Sequence, residues 1–192
     1  MSRADPPRAV LDAEIIFSRV LHDLMGRVAA DLRMLDLVWS DQLLAEVKGS
    51  LIQRKGLAEE VAQRWVGYLP QSFPAGRTSI DEALGSGDLA SLTVDPDDRH
   101  VCALAIASSA DYLFTHDRGY LRDALETRGI EVIRPEGFLL LAFEEQPRAM
   151  LDVLELQAST WAGGRPIDEL LDAIDRAGAA EFADMARTSL DT

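Results

Sequence analysis

The sequence predicts an α/β fold with a parallel sheet covered on both faces, followed by a purely helical segment. Short apolar runs alternate with amphipathic segments as far as about Phe143, and from Pro147 onward only helical periodicity remains. Strands that alternate with helices are joined by right-handed crossovers, which make neighbouring strands parallel. We therefore expect an α/β domain over residues 8–146 and a helical extension, packed on that domain, over residues 147–190.

Four short apolar runs predict the strands of this sheet. Their composition of Val, Leu, Ile and Phe is typical of parallel strands that are buried on both faces. The runs cover Arg8–Leu11 and residues 37–39, 111–115 and 130–133.

Amphipathic spacing predicts three helices in the first part of the chain. One helix begins at Glu14, a second begins after the natural N-cap Ser40-Asp41 and ends at Lys55-Gly56, and a third covers residues 57–70. Their apolar stripes contain Val20, Leu21, Leu24, Met25, Val28, Ala29 and Leu32 in the first helix, Leu43, Leu44, Val47 and Leu51 in the second, and Val61, Trp65 and Leu69 in the third.

The remaining elements follow the same alternation. Residues 71–92 are rich in Gly, Ser and Pro and are expected to form an irregular loop with at most one short strand or helix. Helices are predicted over residues 95–110, 119–127 and 135–143. In the helical extension, apolar stripes are formed by Met150, Leu151, Leu154 and Trp161, by Ile167, Leu170, Leu171 and Ile174, and by Phe182 and Met185.

Composition and charge exclude several classes of protein. The net charge of −14 and the pI near 4.5 argue against a protein that coats nucleic acid through nonspecific phosphate contacts. The single cysteine, Cys102, excludes an internal disulfide framework and a multi-cysteine zinc site. Residues 1–7 lack the apolar core of a signal peptide, and the apolar run 138–143 is too short to span a bilayer. We therefore expect a cytoplasmic protein without a membrane anchor.

Acidic side chains occupy the predicted carboxyl ends of the strands. Asp12 closes the first strand, Asp117 follows the third, and Asp98 heads the helix that leads into the third strand. Ligands of open parallel sheets bind at this edge, where the strand order reverses. Glu46 borders the apolar stripe of the helix after Asp41 and is expected to join the other acids.

Each of these acids also has a structural interpretation. Asp12 is suited to a turn after a strand, and Glu46 to a solvated helix face. Asp95 is a natural N-cap, for which Asp98 would be the reciprocal acid of a capping box. Asp117 would cap the following helix. The functional interpretation therefore depends on all four acids meeting in one place.

Carboxylates that meet in one cleft favour a divalent cation. Two of them held roughly 4 Å apart repel by about 1–4 kcal/mol at the dielectric of a cleft, and a cation removes that cost. Oxygen ligands suit Mg²⁺ or Mn²⁺, and such a site promotes attack on a phosphodiester. No His-Glu-x-x-His spacing is present, so a zinc hydrolase is not predicted. His100 and His116 are expected either to flank the acidic edge or to be solvated residues near helix starts.

Five segments in order resemble the motifs of the PIN-domain family. They are VLDAEIIFS at residues 10–18, WSDQLLAEV at 39–47, DPDDRHV at 95–101, FTHD at 114–117 and RPEGFL at 134–139. Order and spacing agree over roughly residues 8–143, and the helical tail is similar to that of one subgroup of stand-alone bacterial PIN proteins.

The resemblance implies a Rossmann-like α/β/α sandwich with Mg²⁺- or Mn²⁺-dependent ribonuclease activity and frequent homodimerisation. Many small bacterial members are VapC-type toxins of type II toxin–antitoxin pairs, so an antitoxin is an expected partner beside the RNA substrate. By motif position, the metal and the catalytic role fall to Asp12, Glu46, Asp98 and Asp117, with Thr115 and Ser18 in support.

Two residues depart from the family pattern. Glu14 replaces the usual Asn or Ser and would either strengthen metal binding or point into solvent; Tyr120 replaces the usual Phe. RNA is expected to contact local cations, for which the candidates are Arg19 and Arg99, and also Lys48 and Arg118; a solvated surface role is the alternative for each of them.

Two other functions remain open at this point. One is a catalytically silent PIN-fold binding module. The other is a phosphatase similar to haloacid dehalogenases, suggested by Asp12-Ala13-Glu14; those enzymes also need a downstream Lys, and this chain has none after Lys55.

Overall fold

The computed structural model describes residues 5–85 and 88–190. The strands are β1 (Arg8–Leu11), β2 (Asp36–Val38), β3 (Tyr112–Phe114) and β4 (Glu131–Ile133). The helices are α1 (Ala13–Phe17), α2 (Arg19–Ala30), α3 (Asp41–Lys55), α4 (Glu59–Val66), α5 (Tyr68–Ser72), α6 (Asp81–Gly85), α7 (Arg99–Ala107), α8 (Arg122–Glu126), α9 (Pro135–Glu145), α10 (Pro147–Thr160), α11 (Ile167–Arg176) and α12 (Ala180–Leu190). Short 3₁₀ helices cover Pro74–Gly76, Leu89–Ser91, Pro96–Asp98 and Trp161–Gly163.

The four strands form one parallel sheet in the order β2-β1-β3-β4. Val10 is paired with Val38 on one side and with Leu113 on the other, and Phe114 is paired with Ile133. The chain moves outward from β1 to β2 and then crosses to β3 and β4 on the opposite side. The strand order therefore reverses between β1 and β3, and the carboxyl ends of these two strands form the ligand-binding edge of such sheets.

The predicted fold class is confirmed, with a parallel sheet, flanking helices and a helical extension after it. The predicted bounds of β1 and the predicted start and end of α3 agree with the structure. Ser40 Oγ accepts a hydrogen bond from the Leu43 N–H at 3.2 Å, which caps the start of α3. Gly56 ends α3 at a φ of 65°, in the left-handed region where glycine avoids the clash of a Cβ.

Three predicted helices differ from those in the structure. The first is interrupted at Ser18, whose Oγ accepts from the Leu21 N–H at 3.5 Å and caps α2. The third buries Ala62 and Val66 instead of Val61, which is 36% exposed. The segment 119–127 is helical only in α8, because residues on both sides of Tyr120 pair with an extended segment at Thr93.

The described residues divide into two compact units. One contains the described residues of Met1–Phe17 and Leu35–Ile133, and therefore the whole sheet. The other contains those of Ser18–Met34 and Arg134–Thr192, and therefore α2 and α9–α12. Within this second unit, Gln157 Nε2 donates to Val20 O at 3.0 Å. The boundary between the domains expected over residues 8–146 and 147–190 stays a prediction.

No helix among the described residues is long and apolar enough to cross a membrane. The expected lack of a signal peptide falls partly on residues 1–4, which lie outside the described residues.

Candidate functional site

The carboxyl ends of β1 and β3 hold Asp12 and Thr115 side by side. The pairing of the strands continues one residue beyond each strand, since the Asp12 N–H donates to Phe114 O at 3.0 Å. The Thr115 N–H donates to Ile133 O at 3.1 Å. Thr115 Oγ1 then donates to Asp12 Oδ2 at 2.7 Å. The structure thus brings the predicted supporting threonine into direct contact with the first predicted acid.

Asp12 is a buried carboxyl group, with 5% of the residue exposed. Burial raises the pKa of Asp12 to about 6, and the charge of Glu14 adds to this shift. Hydrogen bonds from Thr115 and from the Ala13 N–H, which donates to Asp12 Oδ1 at 2.7 Å, act in the opposite direction. A carboxyl group with this pKa is ready to exchange a proton for a cation near neutral pH.

Glu14 is anchored to the loop after β3. Its Oε1 accepts from Thr115 Oγ1 at 3.1 Å, from the Asp117 N–H at 3.1 Å, and from the His116 N–H. The possibility that Glu14 points away into solvent is therefore excluded, although the residue is exposed. Glu14 holds the backbone segment that carries Asp117.

Asp117 lies at the tip of this loop. Its Oδ1 accepts from the Gly119 N–H at 2.7 Å, and its own N–H also donates to Thr115 Oγ1 at 2.9 Å. A capping role was the structural alternative for this acid, but α8 begins only at Arg122 and has Leu121 as its N-cap residue. Asp117 therefore forms a local turn at the strand end and caps no helix.

Asp98 ends a 3₁₀ helix directly before α7. Asp95 Oδ1 accepts from the Asp97 N–H at 2.9 Å, as expected of an N-cap. The reciprocal half of the capping box is absent, because the Asp95 N–H donates to Thr93 Oγ1 at 3.2 Å and Asp98 Oδ2 is buried without a hydrogen-bond partner. The capping-box interpretation of Asp98 is therefore wrong.

The environment of Asp98 disfavours its negative charge. Burial raises its pKa to about 7, and the nearby carboxylates of Asp12, Asp95, Asp117 and Glu46 contribute to the increase in that order. An acid that is surrounded by other acids and has an unpaired oxygen is suited to a cation.

Glu46 on α3 contacts a buried histidine. His100 Nε2 lies 2.9 Å from Glu46 Oε2, and His100 Nδ1 lies 2.7 Å from Asp97 O. Burial lowers the pKa of His100, but the hydrogen bonds to Glu46 and Asp97 and the charges of Glu46 and Asp12 outweigh it, so the pKa is raised. His100 is 6% exposed, which contradicts its interpretation as a solvated residue near a helix start.

All four predicted acids, together with Glu14, line one cleft of about 140 Å³. Asp12, Asp98 and Asp117 come from strand ends and the start of α7, and Glu46 comes from the middle of α3. The side chains that complete the lining belong to Ala13, Phe17, Val47, Ser50 and Arg54.

Sequence reasoning missed Ser50 and Arg54, which line this cleft. Ser50 and Arg54 follow Glu46 at intervals of four, which places all three on one face of α3, and that spacing would have identified them. Tyr120, a departure from the family pattern, is buried, and burial together with the charges of Asp12 and Asp98 raises its pKa.

The other predicted residues have different surroundings. Ser18 and Arg19 belong to the second compact unit, where Ser18 caps α2. Arg99 is the first residue of α7, and its Nε is buried without a hydrogen-bond partner. The supporting role of Ser18 and the RNA contacts of Arg19 and Arg99 stay predictions.

The cleft suits a divalent cation by the chemistry of its donors. Five carboxylates offer the oxygen ligands that Mg²⁺ and Mn²⁺ prefer, and Asp98 Oδ2 lacks a partner. In the described part of the chain, no group of three His, Cys, Asp or Glu side chains is arranged so that it could hold a metal ion as it stands. The cleft therefore offers the right kind of ligand atoms for Mg²⁺ or Mn²⁺, while the carboxylates of Glu14 and Glu46 contact other residues of the protein.

A family model described as a PIN domain matches residues 8–119, which is more than half of the chain. No curated protein and no solved structure matches the chain in the corresponding comparisons. The matched segment contains Asp12, Glu46, Asp98 and Asp117.

Proposed function

The chain belongs to the PIN-domain family, whose members are generally nucleases, and from this premise we propose that it is a Mg²⁺- or Mn²⁺-dependent ribonuclease. The observation that carries the proposal is the cleft at the edge between β1 and β3, which is lined by five carboxylates. Such crowding is unfavourable unless a cation neutralises it. Membership of the PIN-domain family also argues against the alternative of a phosphatase similar to haloacid dehalogenases.

Four residues would hold the cation in this proposal. Asp12, Asp98 and Asp117 supply carboxylates from the sheet edge, and Glu46 either holds the cation or orients the attacking water. Thr115 fixes the orientation of Asp12 through its 2.7 Å hydrogen bond. His100 Nε2 lies 2.9 Å from the carboxylate of Glu46 and would fix its orientation.

The reaction is hydrolysis of a phosphodiester bond of RNA. A bound Mg²⁺ or Mn²⁺ supplies the positive charge that activates water and offsets the charge of the phosphodiester. Asp12 and Asp98, whose pKa values are raised to about 6 and 7, partly retain their protons near neutral pH and would release them when a cation is bound. Asp12 is held at the end of β1 by its hydrogen bond from Thr115, so little reorganisation of this carboxyl group is needed.

Cleavage of a labelled RNA pool tests this proposal. We expect cutting with Mg²⁺ or Mn²⁺, none with EDTA, and a loss of at least about 100-fold in the variant Asp98→Asn, as is usual for a group that stabilises the transition state. The matched control is Asp152→Asn, an exposed Asp on α10, which should cut like the parent protein.

Two results would contradict the proposal. Cutting that survives Asp98→Asn would assign the activity to another site or another protein. A complete lack of cutting, even with Mn²⁺, would favour the catalytically silent binding module.

The proposal extends to a toxin role within a type II toxin–antitoxin pair and to a cytoplasmic location. It is supported by the resemblance to VapC-type proteins and by the net charge of −14, which suits a basic partner protein. Induction of the chain in bacterial cells should arrest growth, and Asp98→Asn should not. The expected homodimer would have twice the 21.1 kDa mass of one chain by light scattering.

A further inference from the structure

Two cations at the end of α3 are held by aromatic rings. The Arg54 guanidinium carbon lies 5.0 Å from the centre of the Phe17 ring. Lys55 Nζ lies 4.0 Å from the centre of the Phe17 ring and 4.7 Å from that of Trp65, and it donates to Phe17 O at 2.7 Å. Cation–π contacts of this kind limit the positions that a long side chain occupies. Arg54 and Lys55 are therefore preorganised.

Neither cation forms a salt bridge within the described part of the chain. Both side chains are exposed. Lys48, on the same helix, instead pairs with Glu59 at 2.9 Å. Partial burial and the charge of Arg54 lower the pKa of Lys55, as expected of neighbouring cations without an anion between them.

The cation pair adjoins the acidic cleft. Phe17 and Arg54 both contribute to the lining that contains Asp12 and Asp98. The net charge of −14 repels an approaching RNA strand at long range. Cations that form no salt bridge and lie beside the cleft would supply the local attraction that this substrate needs.

We propose that Arg54 and Lys55 bind the phosphate backbone of single-stranded RNA at the margin of the acidic cleft, an inference that rests on the proposed ribonuclease function and extends it. The Arg54 guanidinium has the geometry for bidentate contact with a phosphate, and the Lys55 ammonium acts as a point charge. Cations placed among aromatic rings are a recurring feature of surfaces that bind single strands.

A structural role is the competing explanation. Basic side chains in the last turn of a helix complement the helix dipole, and Lys55 also bonds to a backbone carbonyl. That role predicts a lower melting temperature on substitution and unchanged affinity for RNA. The two explanations therefore differ in a measurable way.

Fluorescence anisotropy with a labelled single-stranded RNA tests the proposal. Binding is measured in Mg²⁺ on the Asp98→Asn background, which keeps the RNA intact, at several NaCl concentrations. Adding Arg54→Gln and Lys55→Gln should raise Kd about tenfold and should reduce the slope of log K against log salt by about 0.7 for each lost phosphate contact. Arg54→Gln alone should give part of both effects.

Matched variants separate charge from structure. Lys48→Gln removes one charge from the same helix, but Lys48 is already paired with Glu59 at 2.9 Å, so the salt slope should stay unchanged in spite of the sequence-based expectation that Lys48 contacts RNA. Arg54→Lys with Lys55→Arg keeps both charges and should keep most of the slope. Melting temperatures are measured for every variant, and the effect of the Gln substitutions must persist in variants that melt like the parent protein.

Three outcomes would overturn the inference. If the Gln variants bind RNA as Lys48→Gln does, the pair serves stability or another anionic partner, such as an acidic peptide, while the ribonuclease proposal stands. The same conclusion follows if the Gln variants lower only the melting temperature and bind RNA normally. If the parent protein cuts no RNA and the Asp98→Asn background binds none, the proposed function and this inference fail together.

Discussion

At the scale of single residues, the site is defined by what each carboxylate touches. Asp12 is buried and bonded to Thr115, Glu46 Oε2 lies 2.9 Å from His100 Nε2, and Asp98 has an oxygen without a partner. Glu14 accepts three hydrogen bonds from the loop after β3. Acids of one cleft thus divide into those held by protein donors and those left for a ligand.

Glu14 is expected to position the loop that carries Asp117. In Glu14→Gln the amide oxygen still accepts from the His116 and Asp117 N–H groups, whereas Glu14→Ala removes the acceptor. Hydrogen bonds to charged groups contribute about 1.5–3 kcal/mol, so Glu14→Ala should lower kcat/KM for RNA by about tenfold or more. Faster hydrogen exchange at residues 115–119 should accompany that loss.

Glu60, an exposed acid on α4, provides the matched controls Glu60→Gln and Glu60→Ala. These should change neither kcat/KM for RNA nor hydrogen exchange at residues 115–119. Equal losses in Glu14→Gln and Glu14→Ala would show that the negative charge of Glu14 matters more than its hydrogen bonds. Glu14 would then be assigned to the metal.

The stability of the metal-free protein should depend on pH through Asp98. The pKa of Asp98 is about 7 in the fold, against an ordinary value of 3.8 for an aspartate, so the folded chain binds more protons than the unfolded chain between these pH values. Stability conferred by this group therefore falls as pH rises from about 4 to 7. Asp98→Asn removes this dependence.

Melting curves at pH 5 and pH 8 in EDTA test the sign of this effect. The melting temperature of the parent protein minus that of Asp98→Asn should be a few degrees lower at pH 8 than at pH 5. This expectation takes about 2–4 °C per kcal/mol and allows for the partial exposure of Asp98. Mn²⁺ at pH 8 should reverse the difference. Asp152→Asn should show no change between the two pH values, and a difference that grows in the opposite direction would refute the assignment.

At the scale of elements, α3 determines which residues reach the cleft. Glu46, Ser50 and Arg54 follow one another at intervals of four on this helix and share the cleft lining. The capped ends at Ser40 and Gly56 fix the start and the end of the helix. A shift of α3 by one residue would rotate all three side chains by about 100°.

The two glycines at α3 should respond oppositely to alanine. Gly56 has a φ of 65°, which a Cβ makes unfavourable, so Gly56→Ala should destabilise the protein by about 1–2 kcal/mol. Gly49 lies inside the helix, where an added Cβ would meet nothing within 4 Å, so Gly49→Ala should stabilise the protein by about 0.5–1 kcal/mol. Urea unfolding measures both. Equal signs for the two variants would contradict the assigned end of α3.

At the scale of the whole molecule, net charge is the dominant property. The chain carries 33 Asp and Glu against 19 Lys and Arg. Like charges repel in the folded state and are further apart in the unfolded state, so this excess lowers stability at neutral pH. Salt screens that repulsion, with a Debye length of about 10 Å at 0.1 M.

Added salt should therefore stabilise the protein at neutral pH. Raising NaCl from about 0.02 to 0.3 M should increase the melting temperature in EDTA at pH 7.5, by about 2–4 °C for each kcal/mol of repulsion removed. At pH 5, close to the pI near 4.5, the increase should be much smaller. Equal increases at both pH values would mean that the effect does not come from net charge.

Local chemistry explains which elements were predictable. The cap at Ser40 and the left-handed turn at Gly56 depend on neighbours within four residues, so the sequence alone specifies α3. Residues 119–121 were predicted wrongly because they pair with a segment near Thr93, far away in the chain. The buried face of α4 lies one residue later than predicted, because packing in the fold buries Ala62 and leaves Val61 exposed.

The sequence by itself determined the α/β class, the alternation of strands and helices that makes the sheet parallel, and the acids at the strand ends, because periodicity and strand-end position are local properties. Only the tertiary structure decided the partners of those acids: His100 for Glu46, the loop after β3 for Glu14, and none for one oxygen of Asp98. Hydrogen bonds between segments up to 103 residues apart depend on how the strands are ordered. That order brings β1 and β3 together, and with them the cleft.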